Sequence, residues 1–170
     1  MRRDVEVVHE GLDFGEGPRW HDGRLWVSDF YARRVRSYGP TGDVRVELEL
    51  DDQPSGLGWL PSGALLVVAM TSRQVRRVDA DGGVHLHADL SGIAGGLVND
   101  MVVDGRGNAY VGNFGFDIEA GDGGPRPADL ALVHPDGTTE VAATDLRFPN
   151  GSVITPDGTT LIVGESMGAR

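Results

Sequence analysis

Glu16-Gly17-Pro18-Arg19-Trp20-His21-Asp22-Gly23-Arg24-Leu25-Trp26-Val27-Ser28-Asp29 sets a pattern that the chain uses four times. A small acidic or polar residue is followed by Gly or Asp, an apolar run, a turn ending in glycine and a second apolar run. Later copies begin at Ser55, Asn99 and Asn150. Ser55 stands eight residues before Gly63, Asn99 eight before Gly107 and Asn150 eight before Gly158, while Glu16 stands seven before Gly23 in a turn one residue shorter. Four such matches in register identify a repeat. Its starts lie 39, 44 and 51 residues apart, around the spacing of four-stranded propeller blades.

Working outward, each of the first three units has room for two more strands. Arg33 to Tyr38 alternates with period 2, and after the turn Gly39–Gly42 the run Val44 to Leu50 is predicted to place Val44, Val46, Leu48 and Leu50 on one face. The second unit continues through 65–69, 75–78 and 84–88, the third through 109–112, 130–133 and 140–143, and the fourth through 160–163. No apolar stretch has a 3.6-residue period, so helical repeats are excluded. The expectation is an all-β propeller of four-stranded antiparallel blades: blade 1 over 16–54, blade 2 over 55–98, blade 3 over 99–149 and the start of blade 4 over 150–170. Residues 5–15 are expected to supply the outer strand of a last blade that lies elsewhere, making this the N-terminal part of a longer, single propeller domain. The stretch 113–127 interrupts blade 3 between its second and third strands and is read as a lid over the mouth of the central channel.

Composition narrows the function. A chain of 170 residues with 39% hydrophobic content can build a core, and its 26 glycines are scattered in the manner of many tight turns. The net charge of −11 opposes phosphate backbones and anionic bilayers, so neither nucleic acid nor membrane is an expected partner. No cysteine is present, which removes thiolate chemistry and fits a reducing, cytoplasmic setting. Neither a signal-peptide core nor a membrane-span-length apolar run occurs.

Inner strands of a propeller begin near its axis, so Glu16, Asn99 and Asn150 would bring carboxylate and amide oxygens together, the ligand type of a hard cation. The plainer reading, that Glu-Gly and Asn-Gly simply make turns, stands beside it. Asp100 is a further candidate, as a ligand, as support for one, or as an Asx-type cap. Phe114 and Phe116 on the insert would either cover a substrate or pack the lid down. Gly164-Glu165-Ser166-Met167-Gly168 fits a nucleophile elbow, but the elbow needs a following helix and acid and His partners later in the chain, and its strand already belongs to the fourth repeat. The five histidines lack metal-ligand spacing, and Asp79-Ala80-Asp81-Gly82 lacks the terminal Glu of a calcium loop.

Glu16-Gly17-Pro18-x-Trp20, Asn99-Asp100 with Asp104-x-x-Gly107, and Phe148-Pro149-Asn150-Gly151 with Pro156-Asp157-Gly158 resemble the SMP-30/gluconolactonase family of six-bladed propellers. The resemblance implies that about three and a half of six blades are present. It also implies a metal-dependent hydrolase acting on small-molecule lactones or related esters, with one divalent ion, Ca²⁺ or Zn²⁺, on the channel axis. By motif, Glu16 and Asn150 become metal ligands, and Asn99 becomes a contact to metal or substrate. Asp100, Phe114 and Phe116 are the other substrate-side candidates. The family's remaining metal ligand, also its proposed general base, is an Asp at a later blade, beyond residue 170; with it and a closing blade absent, the chain alone is expected to have reduced stability and little or no activity. Asp157 belongs to a turn and is not that residue. Leu97 stands where sugar-lactonase members can have Arg, which weakens the case for a sugar lactone. The alternative is a non-catalytic propeller that binds a small ligand or a partner protein, since fold alone does not imply catalysis.

Overall fold

The computed structural model describes residues 7–117 and 124–168. Strands β1 (Gly15–His21), β2 (Arg24–Asp29), β3 (Arg34–Tyr38) and β4 (Val44–Glu49) form one antiparallel sheet in chain order. The next sheet is β5 (Pro54–Trp59), β6 (Leu65–Ala69), β7 (Gln74–Val78) and β8 (Val84–Asp89), and the third is β9 (Val98–Val103), β10 (Ala109–Asn113), β11 (Ala128–Val133) and β12 (Thr139–Leu146). β13 (Pro149–Ile154) and β14 (Leu161–Glu165) make a two-stranded sheet. These are three complete propeller blades and half of a fourth, with the inner strands β1, β5, β9 and β13 packed successively beside one another. Among the described residues no helix is long and apolar enough to cross a membrane.

The strand sequences show why the blades stack. β6 reads Leu-Leu-Val-Val-Ala and is buried throughout. With side chains alternating across the sheet, Leu65 and Val67 join Val35, Leu48 and Leu57 between blades 1 and 2, whereas Leu66 and Val68 join Met101, Val111 and Val133 between blades 2 and 3. A strand that must feed two cores cannot afford a polar face. In the half blade, β13 and β14 leave Val153 and Ile162 more than half exposed, at 58% and 54%.

Each inner pair contains the same irregularity. Three steps along the inner strand face two along its partner: Glu16 to Arg19 against Ser28 to Trp26, Pro54 to Leu57 against Ala69 to Val67, Val98 to Met101 against Asn113 to Val111, and Pro149 to Ser152 against Glu165 to Val163. A bulge of this kind re-aims the side chains it carries. It falls at or beside every repeat-start residue. Blades also close on one another here: a side chain at Gly17, whose φ is +52°, would come within 2.7 Å of the Ser55 carbonyl, and one at Gly56 would strike the Met101 backbone.

The outer strands depart from the sequence expectation. Val44 and Val46 do not share a face with Leu48, because Leu48 pairs with Val35 while Val46 pairs with the adjacent Arg36, so a bulge at Glu47 reverses the alternation. Val44 and Val46 are about half exposed and Leu48 is buried. The same slip recurs at Leu86/Ala88 and Val141/Ala143. Val7 and Val8 lie in no strand and are exposed, while Val5 and Glu6 fall outside the described residues.

Candidate functional site

The inner-strand bulges bring Glu16, Ser55, Asn99 and Asn150 to the wall of one cavity of about 280 Å³. A second set of four, each two residues earlier, lines it too: Phe14, Gln53, Leu97 and Phe148. A third comes from the residue that follows each second strand, Phe30, Met70 and Phe114, with Tyr31 beside them. The last two sets are joined by one repeated backbone bond. Phe30 N–H donates to Phe14 C=O, Met70 to Gln53, Phe114 to Leu97 and Ser166 to Phe148, at 2.9–3.0 Å. The fourfold repeat therefore produces three tiers of wall from ordinary blade geometry. A larger groove, about 860 Å³ around Arg33, Asp52 and Arg76, contains none of the repeat-start residues.

Polar residues fix the lower tier. Ser28, fully buried, donates to the Ser55 carbonyl at 2.6 Å across the joint between blades 1 and 2. Ser55 Oγ is itself buried without a hydrogen-bond partner. Asn99 Oδ1 accepts the Asp100 N–H, and Asn150 Nδ2 donates to Ser166 Oγ at 3.0 Å. Each amide is thereby oriented. Fully buried Asp29 accepts the N–H groups of Asp13 and Phe14 at 2.9 and 3.3 Å and lies 3.4 Å from both Arg34 and Arg36, anchoring the chain just before Glu16. Burial, and then the negative charge of Asp100, raise the Glu16 pKa above the usual carboxylate value.

Asp100 is not part of the cavity wall, although its charge acts on Glu16. Its Oδ1 pairs with Arg19 Nη2 at 2.7 Å and its Oδ2 accepts the Ser152 N–H at 3.3 Å. Asn99 and Asp100 both lie inside the β9 bulge, and there Asp100 ties blades 1, 3 and 4 together. Phe116 is buried, with its backbone against Gly96, and is not in the cavity wall, whereas Phe114 lines the cavity and stacks on Phe148 at 4.3 Å. Residues 118–123 of the expected lid lie outside the described residues. Ser166 of the Gly-x-Ser-x-Gly stretch accepts from Asn150 in a turn after β14.

With this geometry in place, residues 14–170 match the sequence model of the SMP-30/gluconolactonase/LRE-like region. The chain belongs to that family. Among solved structures, a gluconolactonase from Xanthomonas campestris superposes with a TM-score of 0.78 at 26% identity over 94% of this chain. A calcium-binding regucalcin from Agrobacterium tumefaciens gives 0.74 at 23% over 95%, and a luciferin-regenerating enzyme 0.73 at 21% over 89%. Matches cover 56%, 53% and 52% of those proteins, so the chain spans about half the length of these family-like propellers. The last two are alike in fold.

Six wall positions escaped the sequence reading: Phe14, Gln53 and Phe148, each two residues before a repeat start, and Phe30, Tyr31 and Met70. The upper tier follows the repeat start by 14 residues in blade 1 and by 15 in blades 2 and 3, since the intervening turn is shorter in blade 1. Counting from the end of the second strand, instead of from the repeat start, would have found Phe30, Met70 and the adjacent Tyr31.

Proposed function

We propose that this part of the propeller holds a divalent cation through Glu16, Asn150 and Asn99, with Ser55 Oγ as a further oxygen, and that the protein hydrolyses lactones or related esters. The observation that carries the reading is the convergence of four equivalent polar residues on one cavity in a member of this family. The donor set suits the ion. It is made only of oxygens, the preference of Ca²⁺ more than Zn²⁺. Ser55 Oγ lacks a protein partner, and no Arg or His contributes to the cavity wall to neutralise Glu16. Among the described residues no cluster of three His, Asp or Glu offers a competing centre.

A bound cation would supply Lewis-acid polarisation of the ester carbonyl. Glu16 contributes the negative charge that attracts it. Asn99, whose Oδ1 is held by the Asp100 N–H, keeps Nδ2 as a donor for a substrate oxygen. Asn150 is prevented from rotating by its bond to Ser166. The aromatic tier limits water around the reacting bond. The base that activates the attacking water is assigned to no residue described here.

Proton release from δ-valerolactone in a pH-stat tests the reading. Turnover, however slow, should require Ca²⁺, stop with EDTA and be lost in Glu16→Gln. Turnover indifferent to EDTA, or retained in Glu16→Gln, would contradict it.

A further inference from the structure

Above the polar tier the cavity wall is almost wholly apolar. Phe14, Phe30 and Tyr31 of blade 1 form one aromatic group, with centroids 4.7–5.8 Å apart. Phe114 and Phe148 form a second, stacked at 4.3 Å with a 20° interplanar angle. Met70 and Leu97 add further apolar wall, and Gln53 interrupts it. Tyr31 and Phe14 border the cavity at 63% and 49% exposure. Phe148 holds a φ of +60°, a conformation that a bulky aromatic residue adopts only when its surroundings enforce it, and this is the residue whose ring stacks on Phe114.

Resting on the hydrolase reading above, we propose that the substrate is a lactone or ester with an aromatic or alkyl body and no ring hydroxyls. The ester group meets Glu16, Ser55, Asn99 and Asn150, while the body lies between the two aromatic groups. A polyhydroxylated lactone would place its hydroxyls against Phe and Leu, where they lose water and gain few partners. A planar or branched apolar body instead exchanges water for ring faces on both sides.

Binding of two hydrolysis-resistant lactams by calorimetry separates these cases: aromatic 3,4-dihydro-2-quinolone and polyhydroxylated gluconolactam. The quinolone should bind at least about tenfold more tightly, the order of effect of burying one or two extra methylenes. Tyr31→Ser, at an exposed position that the fold tolerates, should weaken the quinolone about fivefold and leave gluconolactam unchanged; Phe14→Ser provides the second variant. Equal or tighter gluconolactam binding, failure of both lactams to bind, or indifference of the quinolone to both substitutions would overturn the proposal. A tenfold quinolone preference in a protein with no lactone turnover would uphold the substrate class and count against hydrolysis alone. Ca²⁺-dependent turnover accompanied by a gluconolactam preference would overturn the substrate class alone.

Discussion

Arg19 of the first blade and Asp100 of the third are joined Nη2 to Oδ1 at 2.7 Å, past the intervening second blade. The other oxygen of Asp100 accepts from Ser152 N–H of the fourth sheet. One carboxylate therefore ties three blades together beside the cavity. It can do so because blade 3 carries Asp where blades 1, 2 and 4 carry Gly after the repeat start. Replacing Asp100 by Ala leaves the Arg19 guanidinium and the Ser152 amide without this partner. The expected loss is about 2–4 kcal/mol in urea unfolding, with Asp100→Asn costing less because it can still accept from Ser152. Equal stability of both variants and wild type would remove the tie from the account.

Glu16 gives a pH-dependent prediction. Burial first, and Asp100 second, raise its pKa in the folded chain. Between the ordinary and the raised pKa the folded state holds a proton that the unfolded state has released. The contribution to stability is thus fully present below the ordinary value and is lost as pH rises through the raised one. Glu16→Gln removes that loss. In EDTA at neutral pH its melting temperature should exceed that of wild type, and the gap should close below about pH 4, where Glu is protonated in both states. Differential scanning fluorimetry across pH measures it.

Asp29 is the anchor behind Phe14. It is fully buried, receives two backbone N–H groups and sits between Arg34 and Arg36. Asp29→Ala should cost about 3–5 kcal/mol, since it strands two cations and two amides at once. Hydrogen exchange should then rise at Asp13 and Phe14 before it rises in β6, whose buried strand depends on other contacts.

Gly56→Ala tests how closely the blades approach. The added methyl would overlap the Met101 backbone, and backbone cannot step aside as a side-chain tip can. A destabilisation of about 2 kcal/mol or more is expected, against a few tenths at Gly151, where the same position meets open space.

Turn glycines in constant register made the blades legible in the sequence, because a tight turn is a local requirement that residue identity must meet. Glu16, Ser55, Asn99 and Asn150 were legible for the same reason: equivalent positions in a repeat converge near its axis. What escaped depended on single-residue slips. A bulge at Glu47 sends Val44 and Val46 to the opposite face from Leu48, and nothing in an alternating apolar pattern marks it. Asp100 sits in the β9 bulge, and the direction in which a bulge aims its residues is not marked in the sequence. Phe114 lines the cavity while Phe116, two residues on, is buried away from it, a division that the two alternatives read from the sequence left open.

Titration of Ca²⁺ into the purified chain by calorimetry, with Glu16→Gln, Asn150→Ala and Asp157→Asn alongside, tests most directly whether the repeat-start residues form a cation site. Wild type should bind one Ca²⁺, with a Kd of about 10⁻⁴ M or weaker for so few charged ligands. Glu16→Gln should abolish binding, Asn150→Ala should weaken it about tenfold, and Asp157→Asn, at an exposed turn, should leave it unchanged. No binding by wild type, or equal binding by wild type and Glu16→Gln, would contradict the site.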